Sequence, residues 1–285
     1  MKTKRICILI ALALALICLA FLSLRYRGQM NLTYDKAYWP STRLKSGPWY
    51  WTLTPSGINY NLYIPESVNQ ENPEQKIPLI VVFHGNGEKA RVKDKYGRLF
   101  ITDEAQETLG GKAAVLAVQS RVEYYSDPHA YERLIQNIAI EYPCIDTTRI
   151  AGWGFSQGAA FVQELAMYSP YLFKAVGSGS SYYSASPLEL FKAARIRFWC
   201  ATAKNDAGIY EQGSRTGKIL SLICPESHYV EYEKRGHFYI ELHDKPAKKT
   251  IRFIDWLAES LDILEPLQQG SIYSLDRLID AKGLN

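Results

Sequence analysis

Three residue types that together perform nucleophilic acyl transfer lie in this chain in the order Ser156, Asp206, His237, and each stands a few residues beyond an apolar run. The serine stands in Gly154-Phe155-Ser156-Gln157-Gly158. Before it, Arg149–Gly152 reads as a short buried strand ending at Trp153, and after it Gly158–Tyr168 has helical spacing and strong helix formers. A Ser on such a strand-to-helix turn presents its hydroxyl, while the flanking glycines allow close backbone approach. The same residues would also suit a Gly-rich connection whose Ser only caps the helix. Asp206 follows the run Ile196–Thr202, and His237 follows Tyr229–Glu233 through Lys234, Arg235 and Gly236. The spacings leave room for two strand–helix units between Ser and Asp, and one between Asp and His. A fourth run, Ile77–Phe83, passes straight into His84-Gly85-Asn86-Gly87-Glu88. A Gly-rich turn there can aim a backbone N–H from Gly85 or Asn86 at a developing oxyanion, with a second N–H from Gln157.

The elements that must hold these residues read as alternating strands and helices. Trp49–Thr54 and Tyr60–Ile64 form a leading strand pair around Pro55-Ser56-Gly57, and a polar connection, Glu66–Lys76, follows. Ile77–Phe83 is a β-branched run suited to burial on both faces, and Ala113–Val118 and Lys174–Gly177 share its character. Helices are predicted over Pro128–Tyr142, behind an Asp127 cap, and over Tyr210–Ile223 and Ala247–Leu264. Such alternation implies right-handed crossovers and a doubly wound, mostly parallel α/β sheet with helices on both faces. Chemistry in such a sheet gathers at the carboxyl ends of the strands. Residues 49–264 are expected to form one catalytic domain, with 28–48 as a linker and 265–285 as a helical tail.

These motifs resemble the α/β-hydrolase superfamily over roughly Tyr60 to Leu261. His84-Gly85-Asn86-Gly87 after a strand, Gly-Phe-Ser-Gln-Gly, and the late Gly236-His237 fall in that family's order. The short lead-in Asn61–Pro65 and the absence of a large insert resemble its secreted carboxylesterase branch of feruloyl and acetylxylan esterases and polyhydroxybutyrate depolymerases. The resemblance implies Ser156 as nucleophile, His237 as general base, Asp206 as its orienting acid, and Gln157 with Gly85 or Asn86 as oxyanion hole. It implies a serine carboxylic ester hydrolase working without metal or organic cofactor. Ala159 departs from the family, where many relatives carry a second glycine, and Ala207-Gly208 after Asp206 gives no substrate-loop signature.

Rivals exist for each position. By the resemblance, His84 supports its turn rather than acting as base. His129, His228 and His243 lack a glycine turn and read as surface or half-buried residues. Glu211, Asp244 and Asn205 compete with Asp206, whereas Asp127 and Asp146 read as capping or turn residues. The stretch Ser178–Ala194 is too short for a folded lid, so an open cleft is expected. Tyr124, Tyr125, Tyr182, Tyr183 and Tyr239 fall near it, and aromatics there suit sugar rings or aromatic acyl groups as well as ordinary packing.

Composition bounds the rest. With 285 residues, 47% hydrophobic and 22% charged, the chain is an ordinary globular one, large enough to bury a substantial core. The net charge of +4 is scattered, with no stripe for nucleic acid. Ile6–Leu24 is an unbroken apolar run behind Lys2, Lys4 and Arg5, which suits a signal peptide or a membrane anchor and implies export. Membrane contact is expected only through that segment, and the partner is a small or polysaccharide-linked ester. Cys144, Cys200 and Cys224 allow one disulfide, but spacing does not choose the pair, and no Cys/His cluster has metal-site spacing. Two other classes fit the same motifs: a serine peptidase of the prolyl-oligopeptidase type, and a non-catalytic membrane-tethered binding module.

Overall fold

Period-two alternation splits each central strand between two hydrophobic cores. On the strand Ile77–Phe83, Leu79, Val81 and Phe83 point to one core, while Ile80 and Val82 point to the other. Arg197–Ala203 divides likewise: Phe198 and Cys200 against Trp199 and Ala201. A strand buried on both faces must be covered on both, and that requirement makes this a three-layer molecule.

The computed structural model describes the backbone pairing of 45–46 and residues 58, 60–69, 71–86, 96–120, 124–245 and 251–264. Among them an eight-stranded sheet runs β1 (Lys45–Ser46), β2 (Tyr60–Tyr63), β3 (Ile77–Phe83), β4 (Ala114–Val118), β5 (Ile145–Phe155), β6 (Ala175–Gly179), β7 (Arg197–Ala203) and β8 (His228–Tyr232). Its spatial order is β1-β2-β4-β3-β5-β6-β7-β8. β1 and β2 are antiparallel, as are β2 and β4, and every other pair is parallel. The helices are α1 (Asp103–Thr108), α2 (Pro128–Glu141), α3 (Gln157–Tyr168), α4 (Pro187–Leu190), α5 (Tyr210–Ile223) and α6 (Phe253–Ser260). One core joins Tyr131 and Ile135 of α2, Phe161 and Leu165 of α3, and Leu220 of α5. The other joins Phe100 and Ala105 to Phe253, Trp256 and Leu257 of α6.

The doubly wound, mostly parallel sheet agrees with the sequence expectation, and among the described residues no large lid covers it. Three details differ. The expected linker 28–48 contributes β1, which pairs Lys45 with Leu62 and Ser46 with Asn61. β5 is longer than Arg149–Gly152 because it begins at Ile145, with a register shift against β3 at Pro78. Proline has no N–H to offer the ladder there. Asp146 fills the shift by accepting from the Thr148 N–H at 2.9 Å and pairing with Arg149 at 2.7 Å. The last helix begins at Phe253 rather than Ala247. All three described cysteines are buried free thiols, so none forms a disulfide. The segments 6–24 and 49–54 and the tail 266–285 lie outside the described residues. No helix among the described residues is long and apolar enough to cross a membrane.

Candidate active site

Ser156 ends β5 and begins α3, and its backbone has φ 54° and ψ −115°. A non-glycine residue in that region is strained, and surrounding structure must hold it there. Its N–H donates to the Gly179 carbonyl on β6 at 2.9 Å, and its carbonyl accepts from Ala160 at 2.9 Å. The two motif glycines are required by close approach: a Cβ on Gly154 would strike the Gly158 carbonyl, and one on Gly158 would strike the carbonyls of Phe83 and His84. α3 therefore begins hard against the ends of β3 and β5. Gln157 is the first residue of α3.

Asp206 lies three residues beyond β7 in a tight turn, its N–H donating to the Ala203 carbonyl at 3.0 Å. Its carbonyl accepts from Tyr210 at the start of α5, also at 3.0 Å. The carboxylate is buried and faces His237 Nδ1, at 3.1 Å to Oδ1 and 3.0 Å to Oδ2. A carboxylate only accepts, so Nδ1 carries the hydrogen and donates, which leaves the Nε2 lone pair free to take a proton. The His237 ring is open to solvent and tilts against Phe155 at 4.9 Å, beside Ser156. Among the described residues no hydrogen bond joins Ser156 to His237.

The turn carrying His237 is pinned on both sides. Asn205 Oδ1 accepts from Arg235 N–H at 3.0 Å and from Gly236 N–H at 2.8 Å. Ser180 Oγ, after β6, accepts from Phe238 N–H at 3.0 Å. Ser180 has φ 49°, and its own N–H donates to Ala201 on β7 at 3.0 Å. Asn205 and Ser180 thus tie the imidazole turn to the strands that carry Asp206 and support Ser156.

The turn after β3 is fixed from within. His84 is buried, and its Nε2 accepts from Ser120 N–H at 3.0 Å. Nδ1 therefore carries the hydrogen and donates to the Gly85 carbonyl at 2.7 Å. Burial pushes its pKa down to about 4, so it stays neutral and both nitrogens are occupied. Tyr125 adds a brace, accepting from His84 N–H at 3.0 Å while donating to Val118 at 3.1 Å. Gly85 is buried with the Phe155 ring against it, and Asn86 beside it is exposed.

Among the described residues, the rivals do not contact His237. Asp244 pairs with Arg235 at 2.8 Å, and Glu211 is exposed at the start of α5. His129 faces Glu132 at 3.6 Å, and His243 faces Glu104 at 3.3 Å. His228 is half-buried between Trp199 and Trp256. Asp127 caps α2, accepting from Ala130 N–H at 3.3 Å.

A cavity of about 300 Å³ opens beside Gln157, and Tyr124, Tyr125, Tyr182 and Tyr183 line it. Tyr239 does not; it packs against Tyr96 and Phe155 at 5.4 and 6.0 Å. Sequence reasoning missed Phe155, Asn205 as a turn anchor, and Ser180. Only Phe155 carried a signal, as the residue before the nucleophile candidate. The other two act through contacts between loops far apart in sequence.

No protein-family model and no curated protein sequence matches this chain. Its structure is similar to that of a thermostable esterase, at 22% identity and TM-score 0.53, covering 76% of this chain and 58% of that one. It is similar to an esterase of Rhizomucor miehei at 15% identity and TM-score 0.53, covering 84% and 89% of the two chains. It is also similar to an acetyl xylan esterase from Aspergillus awamori at 14% identity and TM-score 0.54, covering 70% and 95%. With the sheet order and the strand-to-helix serine turn, these likenesses establish the α/β-hydrolase fold for the chain.

Proposed function

We propose that the protein is a serine hydrolase that cleaves carboxylic esters through an acyl-enzyme intermediate. The single observation that carries this is the buried Asp206 carboxylate holding His237 Nδ1 beside the strained Ser156 turn. A hydroxyl is a poor nucleophile until a neutral imidazole takes its proton. Ser156 Oγ attacks the ester carbonyl carbon as its proton passes to His237 Nε2. Asp206 keeps the productive tautomer and stabilises the imidazolium. The tetrahedral oxyanion is met by the N–H of Gln157 and that of Gly85 or Asn86, each worth about 3 kcal/mol of barrier. When the carbonyl re-forms, the alcohol leaves with the proton from His237. Water then attacks the acyl-enzyme with His237 as base again, releasing the acid and restoring Ser156.

The substrates we infer are short-chain, small aromatic or carbohydrate-linked esters. The uncovered cavity and its tyrosines support this, as do solved structures of similar fold described as acetyl xylan and ferulic acid esterases. The apolar segment 6–24 is proposed to direct export, as a cleaved signal or a retained anchor. Purified protein should hydrolyse at least one of nitrophenyl acetate, a feruloyl ester or acetylated xylan, and a fluorophosphonate should label Ser156. Ser156→Ala should keep the fold and lose several orders of magnitude in rate. Equal turnover in wild type and mutant would overturn the proposal.

A further inference from the structure

The cavity beside Gln157 is asymmetric in charge. Gln157, Ala160, Phe161 and Glu164 recur at one, three and four residues' spacing along one face of α3 and form one wall. Tyr182 and Tyr183 contribute from the stretch after β6, and Tyr124 and Tyr125 from the stretch before α2. At about 1.5 Å of rise per residue, Glu164 lies roughly 10 Å along the helix from Gln157. It is therefore at the far end of the cavity from the Ser156 turn.

Among the described lining residues Glu164 is the one charged group, with no Lys, Arg or His beside it. Partial desolvation raises its pKa. Its charge is felt by both phenols, which burial and then other nearby acidic groups push upward, Tyr183 to about 12. A carboxylate with no cation beside it among the described lining residues, set among tyrosines, repels anions. It attracts an organic cation, which gains from the ring quadrupoles as well as from the charge.

We infer that this cavity selects esters whose alcohol or acyl part bears an ammonium group, through Glu164 and the faces of Tyr124, Tyr182 and Tyr183. The assignment rests on the proposed hydrolase reading only for turnover; the binding preference stands on the cavity itself. A quaternary ammonium suits it best, because it has no hydrogens to lose and presents a soft charge to the rings. Carboxylate-bearing esters of the same size should be the poorest substrates.

The test compares acetylcholine with its uncharged carbon isostere, 3,3-dimethylbutyl acetate, by the ratio of their kcat/KM values. A ratio cancels any general loss of activity in a variant. Wild type should prefer the cation by about tenfold, carried mainly in KM, and Glu164→Gln should bring the ratio to within about threefold of unity. Glu164→Lys should invert it. In parallel, calorimetry of tetramethylammonium with the Ser156→Ala protein should show binding that Glu164→Gln weakens several-fold. A ratio near unity in active wild type, or one unchanged in Glu164→Gln, would overturn the inference while leaving the hydrolase in place. Should no ester be turned over, absence of ammonium binding would overturn it, and binding that depends on Glu164 would uphold it although the hydrolase reading had failed.

Discussion

Removing the Asn205 side chain is the perturbation that best separates a positioned histidine from one merely nearby. Asn205→Ala deletes the acceptor of two N–H groups, at 3.0 Å from Arg235 and 2.8 Å from Gly236, both within two residues of His237. Neither residue is fully buried, so water can replace the lost partner, and each bond is worth about 1 kcal/mol net. Gly236 has φ 63° and no side chain, so it is the softest link in the turn. If the whole of about 2 kcal/mol falls on the transition state, kcat drops about 30-fold, since 1.4 kcal/mol is a factor of ten. KM should stay within about twofold, because Asn205 does not line the cavity. The melting temperature should fall by only about 4–8 °C for a domain of this size. Steady-state kinetics on nitrophenyl acetate reads the split, and Asn205→Asp, which keeps an acceptor oxygen, should restore most of kcat. A kcat within twofold of wild type, with the melting temperature lowered as calculated, would refute the claim that this side chain acts through His237.

Other outcomes follow from the same geometry. Asp206→Asn keeps the shape but loses the productive tautomer, so kcat should fall by about four orders of magnitude. Asp244→Asn and Glu211→Gln should each cost less than tenfold, and the reverse pattern in steady-state kinetics would move the acid to Asp244. Gly158→Ala should destabilise by about 3 kcal/mol or more in urea titration, because the new methyl meets strand backbone rather than a side chain that can move. Stability should also depend on pH. His84 and His228 are pushed from 6.5 down to about 4 by burial, with Arg197 adding to the effect on His228. The unfolded chain therefore binds more protons between those values, so the stabilisation is complete above pH 6.5 and is lost as pH falls toward 4. Unfolding free energies from urea titration at pH 7 and 4.5 should differ by as much as several kcal/mol, and equal values would refute the sign.

Strands buried on both faces were the most legible part of the fold, because a short β-branched run such as Ile77–Phe83, bounded by turn residues, fits them better than a helix. The bounds of α5 coincide with expectation for a similar reason: an amphipathic run with apolar flanks marks both ends. What the sequence hid was short or tertiary. α1 has six residues, and its signal is a Thr102 cap accepting from Ala105 N–H at 3.2 Å, too brief for periodicity to register. β1 has two residues and exists through its pairing with β2. At the candidate site, Ser156, Asp206 and His237 could be found because strand ends converge in a parallel sheet. The anchoring roles of Asn205 and Ser180 could not, since each depends on how two connections fold over one another.

The position of β8 at the sheet's margin has a consequence for how this protein fails. Among the described strands it pairs only with β7, and four of its five residues are half-exposed. The imidazole turn leaves from that strand, whereas Ser156 leaves from the interior strand β5. Margins of a sheet open before its middle does. Mild heat or denaturant should therefore unseat the proton acceptor while the nucleophile's turn and most of the secondary structure persist. Loss of turnover would then be an early gauge of fraying at one border, reversible on cooling, and distinct in midpoint from the collapse of the two cores.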